Sequence, residues 1–327
     1  MQHSNATLRD VAERVGVSIR TVSRVVNDES GFSESTRARV LEAVEELGYR
    51  PNLLARGLIK GRSGTIALVA TELTDPFFPE LAEGVQRAAA KFGLTLLVAS
   101  SNNIADRQRD VLDSLRSHAV DGIILFPSAG TEDDVLALAS DGTPTVVIDT
   151  PLTARGLVCV TSEIREGAIL ATRHLVESGR RHIAMIGSSM SGSRTRERGY
   201  EAALPDGAVV MIERSDPTAA GGIDAMRRLL VREPELDAVF AYNDLVAIGA
   251  MKAVHDSGRS VPDDVAVVGF DDIDMAKLMT PALTTVHIDR ERLGREAVTQ
   301  LTALWEDADV DRPPVLVPVA LEIRDSA

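Results

Sequence analysis

Apolar positions recur at helical spacing three times in the first fifty residues. Leu8, Val11, Ala12 and Val15 form one stripe, Val22, Val25 and Val26 a second, and Val40, Leu41, Val44 and Leu47 a third. Thr7, Ser18 and Ser33 stand where each helix should start, and Gly16 marks a tight turn between the first two. Two short helices joined by a glycine turn and backed by a third make a helix-turn-helix. From Thr65 the period changes. "TIALVA", "LTLLVAS", "DGIILF", "TVVID" and "VCVT" are strand-like apolar runs, separated by amphipathic stretches such as 79–92 and 107–117. The cycle then restarts with "HIAMIG", "AVVMIE", "DAVFAY" and "VAVVGF". Uninterrupted apolar strands between helices predict an α/β fold with parallel sheets covered on both faces. Two such cycles predict two lobes, with a site between them outside the carboxyl ends of the strands. That pattern alone fits a solute-binding protein and an enzyme equally well.

Charge changes the picture. The 327 residues carry a formal net charge of −14. Residues 1–62 hold ten Lys/Arg against eight Asp/Glu, a net of +2, and the remainder twenty-five against forty-one, a net of −16. Residues 14–27 and 50–64 contain no acid. Nucleic acid would be repelled by the acidic body, so any contact with it falls to those two stretches. On the second helix Arg20, Arg24 and Asn27 lie opposite the valine stripe, and an arginine fork can donate twice to a guanine edge in the major groove. The single Cys159 allows no internal disulfide, and the charged front and lack of a long apolar run predict neither signal peptide nor membrane span. The chain reads as cytoplasmic.

Enzyme signatures are missing: there is no GxGxxG, GxxxxGK[ST], GxSxG or HExxH, and the six histidines are scattered. No catalysis, cofactor or metal is expected. "GFDDID" could suggest Mg²⁺ or a phosphorylation site, but helix capping or a ligand hydroxyl is the preferred reading. Asp149, Asn243 and Asp271 each follow an apolar strand, and such groups converging on a cleft suit a ligand rich in hydroxyls. Ser101 and Asn102, after "LLVAS", could add contacts.

"TLRDVAERVGVSIRTVSRVVN" and "FSESTRARVLEAVEELGYRPNLLARGL" resemble the lactose-repressor (LacI/GalR) family of bacterial transcription regulators. The resemblance continues in order through "DPFFPEL", "VDGIILFP", "FAYNDLVAIGAM", "VVGFDDID" and "PALTTVHID". It implies a helix-turn-helix over 1–49, a hinge helix over 50–63, and a two-lobed periplasmic-binding-protein-like core over 64–327. One lobe would take 64–161 and 290–318, the other 162–289 and 319–327. By the same resemblance Ile19 and Arg20 read base edges with Arg24 beside them, while Thr21, Ser23 and Asn27 hold phosphates and Ser18 belongs to the same DNA-binding face. Asn52 and Arg56 belong to the hinge, and Leu58 is its minor-groove wedge. Arg196 matches the family's ligand-binding arginine, and Phe77 and Phe78 its aromatic floor, though one of them could serve the core. The implied protein is a ligand-responsive repressor that binds a palindromic operator in double-stranded DNA as a homodimer, with a sugar or related metabolite as effector. Three departures stand out: Pro217 replaces a third aromatic, Ile288 a polar contact, and Ser162-Glu163 an Asp-Asn pair.

Overall fold

The computed structural model describes residues 6–27, 30–49, 62–152, 154–190, 192–307 and 312–327. They fall into two compact units, Met1–Ser63 and Gly64–Ala327. The front unit contains α1 (Leu8–Val15), α2 (Ile19–Val26) and α3 (Glu34–Glu46). A capping box starts α1: the Thr7 hydroxyl accepts from the Asp10 N–H, and the Asp10 carboxylate accepts the Thr7 N–H at 2.8 Å. Ser18 caps α2 by accepting from the Thr21 N–H at 3.0 Å. Val11, Ala12, Val15, Val22, Val25, Val40 and Ala43 close the core. Leu41, expected there, is 44% exposed. It stands one residue, about 100°, round the helix from Val40, and Ala43 takes the inward position three residues on.

In the larger unit the first half of the chain supplies β1 (Thr65–Ala70), α4 (Phe77–Ala90), β2 (Thr95–Ser100), α5 (Ala105–Ser117), β3 (Ile123–Leu125), α6 (Glu132–Ser140), β4 (Thr145–Ile148) and β5 (Leu157–Ser162). The second half supplies α7 (Ile164–Glu177), β6 (Ile183–Ser188), α8 (Ser193–Ala203), β7 (Ile212–Ser215), α9 (Ala219–Arg232), β8 (Ala238–Ala241), α10 (Asp244–Asp256), β9 (Ala266–Asp271), α11 (Asp274–Leu278) and β10 (Thr284–Ile288). The chain then returns to the first lobe with α12 (Arg290–Leu304) and β11 (Val315–Val317), and ends with β12 (Val319–Glu322) in the second. The strand orders are β11-β5-β4-β3-β1-β2 and β12-β10-β9-β8-β6-β7, with only β12 antiparallel among these pairings. The backbone therefore passes between the sheets three times: after β5, after β10, and between β11 and β12. Central strands such as β6 and β9 are buried at every position, as parallel strands covered on both faces require.

Two helices begin two residues before their expected starts, at Phe77 and Ala105. The strand expected at 208–213 is displaced. β7 begins at Ile212, and Val209 is 72% exposed. Tyr200 fixes the register, because its phenol accepts the Met211 N–H at 3.2 Å and donates to the Ile183 carbonyl at 2.8 Å. An edge strand needs no continuous apolar run, so Glu213 and Arg214 fit within it, each paired with a helix side chain.

Candidate functional site

In the front unit, Ser18 places the start of α2 so that Ile19 and Arg20 are both exposed. The hydroxyls of Ser18 and Thr21 lie 2.8 Å apart, and the Asn27 amide donates to Ser23 Oγ at 3.3 Å. Each hydroxyl keeps hydrogen-bonding capacity beyond these contacts. Arg24 departs from the expected arrangement: its guanidinium donates to the Ser30 carbonyl. Gly31 makes room for it, since a Cβ there would sit 2.5 Å from Arg24 Nη2, and its φ of +105° favours glycine independently. Asn52, Arg56 and Leu58 lie outside the described residues.

In the larger unit, the carboxyl ends of the strands converge on a cavity of about 60 Å³. The first lobe supplies Thr71, Asp75, Phe77, Phe78, Phe126 and Asp149, and the second Met190, Arg196, Pro217, Tyr242, Asn243 and Asp271. The three phenylalanines stack edge to face, with ring centroids 5.1 to 6.1 Å apart, so Phe77 and Phe78 serve the wall and the core together.

Arg196 is 5% exposed and lies between two rings, 4.5 Å from the Tyr242 centroid and 4.2 Å from that of Phe270. One of its terminal nitrogens is 3.7 Å from Asp271 Oδ1, and its Nε has no partner. The carboxylates are held just as firmly. Asp149 Oδ1 accepts from Thr161 Oγ1 and from the Ser162 N–H, each at 3.0 Å. Asp75 accepts the Phe77 N–H at 3.0 Å and, through its other oxygen, the Asn243 amide at 3.1 Å. Asn243 also caps α10, accepting the Val246 N–H at 2.9 Å. The Asp75–Asn243 bond thus ties the first lobe to the second across the cavity.

Burial pushes the carboxyls of Asp75, Asp149 and Asp271 above the usual range, Asp271 most strongly, with Arg196 opposing the shift at Asp149 and Asp271. Asp271 holds a φ of +112°, a conformation that costs a non-glycine residue roughly 1–3 kcal/mol. Arg290 over-determines it, donating to the Asp271 carbonyl and, at 3.0 Å, to that of Asp272, while pairing with Glu80 at 2.7 Å. Ser101 is not on the wall. It is fully buried, its hydroxyl 2.9 Å from that of Ser128. Ile288 is buried in the core. Asp75, Phe126, Met190 and Tyr242 were not singled out from sequence. Asp75 and Tyr242 sit inside the quoted "DPFF" and "FAYND" segments, and their places after strands were the available signal.

Residues 7–52 match the family described as bacterial regulatory proteins, lacI family, and residues 172–327 match a periplasmic binding protein-like domain. The ribose operon repressor of Halalkalibacterium halodurans is 33% identical over 323 residues, 98% of this chain and 96% of its own length. The chain belongs to the lacI family. Among solved structures, the lac repressor dimer bound to operator and the anti-inducer ONPF superposes with a TM-score of 0.88, at 28% identity over 99% of both chains. The complex of the transcriptional regulator CelR with cellobiose gives 0.74, at 33% identity over 99% of this chain and 100% of that one. As a lacI-family regulator, the protein joins a DNA-reading helical unit to a ligand-responsive α/β body. No helix among the described residues is long and apolar enough to cross a membrane.

Proposed function

We propose that this lacI-family regulator represses transcription as a homodimer on a palindromic operator, and that a sugar or other small polar metabolite bearing several hydroxyls is its effector. The observation that carries the effector reading is the meeting of Asp149 from one lobe with Arg196, Asn243 and Asp271 from the other around a single cavity. Directional acceptors, one buried guanidinium and aromatic walls match a ring bearing several hydroxyls. The similarity to a cellobiose complex and to a ribose operon repressor supports that class. The protein acts by binding alone, with no covalent step.

Coupling follows from the size of the cavity. At about 60 Å³ it has room for a few water molecules, so a sugar ring must part the lobes or displace the Asp75–Asn243 bond. A ligand that favours one lobe arrangement shifts the DNA-binding equilibrium, and bound DNA shifts ligand affinity by the same factor. Dimerisation supplies the second reading head, since one recognition helix makes too few base contacts. Ile19 and Arg20 take the base edges, and residues 50–63 form the hinge between the reading unit and a body with lobes at 64–161 with 290–318 and 162–289 with 319–327.

The test is a thermal-shift screen of the full chain against sugars, polyols, nucleosides and small acids, followed by fluorescence anisotropy on fragments of the source genome. The expected result is one chemical family that raises the midpoint and alters operator affinity. Stabilisation without any change in DNA binding would refute the regulatory reading. Failure to bind any duplex at low salt would refute the DNA reading.

A further inference from the structure

Beyond the inner cavity lies a wider cleft of about 670 Å³, and Asp149 and Met190 line both. Its chemistry differs from that of the inner cavity. Inside, Asp75, Asp149 and Asp271 surround the single cation Arg196 among the described residues, and Glu72 stands at the same wall. Outside, Arg194, Arg198 and Arg214 line one wall, and Glu132 joins Asp149 as the described carboxylates.

The three outer arginines are not equivalent. Arg214 is held by Glu197, with contacts of 2.7 and 3.0 Å, and donates to the Ser188 carbonyl at 3.2 Å. Arg194 and Arg198 sit one turn apart on α8, both exposed, and neither has a hydrogen bond or ion pair to another described residue. Elsewhere in this strongly negative unit several arginines are paired with an acid, as Arg87, Arg109, Arg116 and Arg228 are. Across the cleft, the hydroxyl of Thr150 is buried and has no partner. Two like charges left side by side repel each other by an amount that an anion between them removes.

We infer that the effector is an anionic sugar-type molecule: its hydroxyl-bearing ring occupies the inner cavity, and a phosphate or carboxylate at one end reaches the outer cleft, where Arg194 and Arg198 bind it. This rests on the polyhydroxyl reading of the inner cavity. Arg196 suits the anion less, because Asp271 Oδ1 already lies 3.7 Å from it and the Tyr242 and Phe270 rings lie against its guanidinium. Of these two spaces, the outer cleft is the one with cations, Arg194 and Arg198, that have no described carboxylate partner. The guanidinium fork suits either anion, each N–H donating to an oxygen that carries charge.

Matched pairs read out the assignment on the full chain by calorimetric titration: ribose with ribose 5-phosphate, glucose with glucose 6-phosphate, and galactose with galacturonate. The expected result is that one anionic member binds at least about tenfold more tightly than its neutral parent, as charge-assisted bonds of this kind provide. That advantage should shrink with added salt. The Arg194→Gln/Arg198→Gln double variant should lose the advantage and keep the parent's affinity. Both side chains are exposed, and an unchanged unfolding midpoint without ligand verifies the fold. A gain for a phosphate and not the uronate assigns a phosphate ester, and the reverse assigns a sugar acid. Binding of neutral sugars with no gain from any anionic partner overturns the inference and leaves the polyhydroxyl reading standing. An anion advantage that survives in the double variant also overturns it. Silence from every pair, charged and neutral, removes both readings.

Discussion

Arg20 and Arg24 were a matched pair in the sequence, yet the fold treats them differently. Arg20 projects from α2 into solvent, whereas Arg24 is drawn to the Ser30 carbonyl beside Gly31. Arg20→Ala should weaken operator binding by roughly 1–3 kcal/mol and relax preference at one base pair, measured by anisotropy across single-base operator variants. Uniform weakening across all sequences would instead mark a phosphate contact. A second residue-scale expectation concerns Asp244. It is fully buried at the start of α10, accepting the Ile273 N–H at 2.8 Å and the Thr285 hydroxyl, with Asp272 and Asp75 nearby. Burial pushes its carboxyl up to about 7. An acid raised in the folded state holds its proton more tightly there than in the unfolded chain, so its ionisation costs stability. That cost is absent below about pH 4, the unfolded value, and complete above about pH 7. Stability should therefore fall across that window. Asp244→Asn, which can accept from Ile273 and donate to Thr285, should flatten the fall in urea titrations; an unchanged slope would clear Asp244 of responsibility. Asp149, Asn243, Asp271 and Arg196 were readable because each follows a strand or stands in a recognisable motif. Asp75 stands in such a motif too but was passed over, because its tie across the cavity is to Asn243, 168 positions away. Ser101 misled for the converse reason: it follows a strand, but Ser128 takes its hydroxyl inward.

At the scale of elements, the pattern of apolar runs located the buried strands and failed at an edge. β6, β8 and β9 are covered on both faces, so their composition leaves little choice. β7 borders solvent, where Glu213 and Arg214 are acceptable, and the apolar 208–211 segment precedes it. Helix faces were equally legible apart from Leu41, where two adjacent apolar residues competed for one inward position. The junction of β9 and α12 was hidden, because a single arginine makes it. Arg290, the first residue of α12, grips the carbonyls at the end of β9 and pairs with Glu80 on α4. Arg290→Met keeps most of the stem but leaves those carbonyls without a donor. It should cost about 1–3 kcal/mol in chemical denaturation. Because Asp271 sits at that strand end, effector affinity should fall with it; loss of stability with effector affinity intact would confine Arg290 to a structural role.

For the whole molecule, the contrast between a basic front and an acidic body predicts where DNA can touch, and the sheet edges predict where a second copy can. β2 ends the first sheet, and Leu97 and Val98 are exposed on it. An open apolar edge is a template for association. Leu97→Asp should shift the chain from dimer to monomer in sedimentation velocity and weaken operator binding with it. A dimer that persists would move the interface elsewhere. The three passages of backbone between the sheets have a consequence of their own. Two bodies joined by several tethers can bend like pages at a spine, while sliding past one another would strain all the tethers at once. Severing any one passage leaves two intact, so new termini opened at such a point in a circular permutant should still yield a body that folds and opens along the same spine.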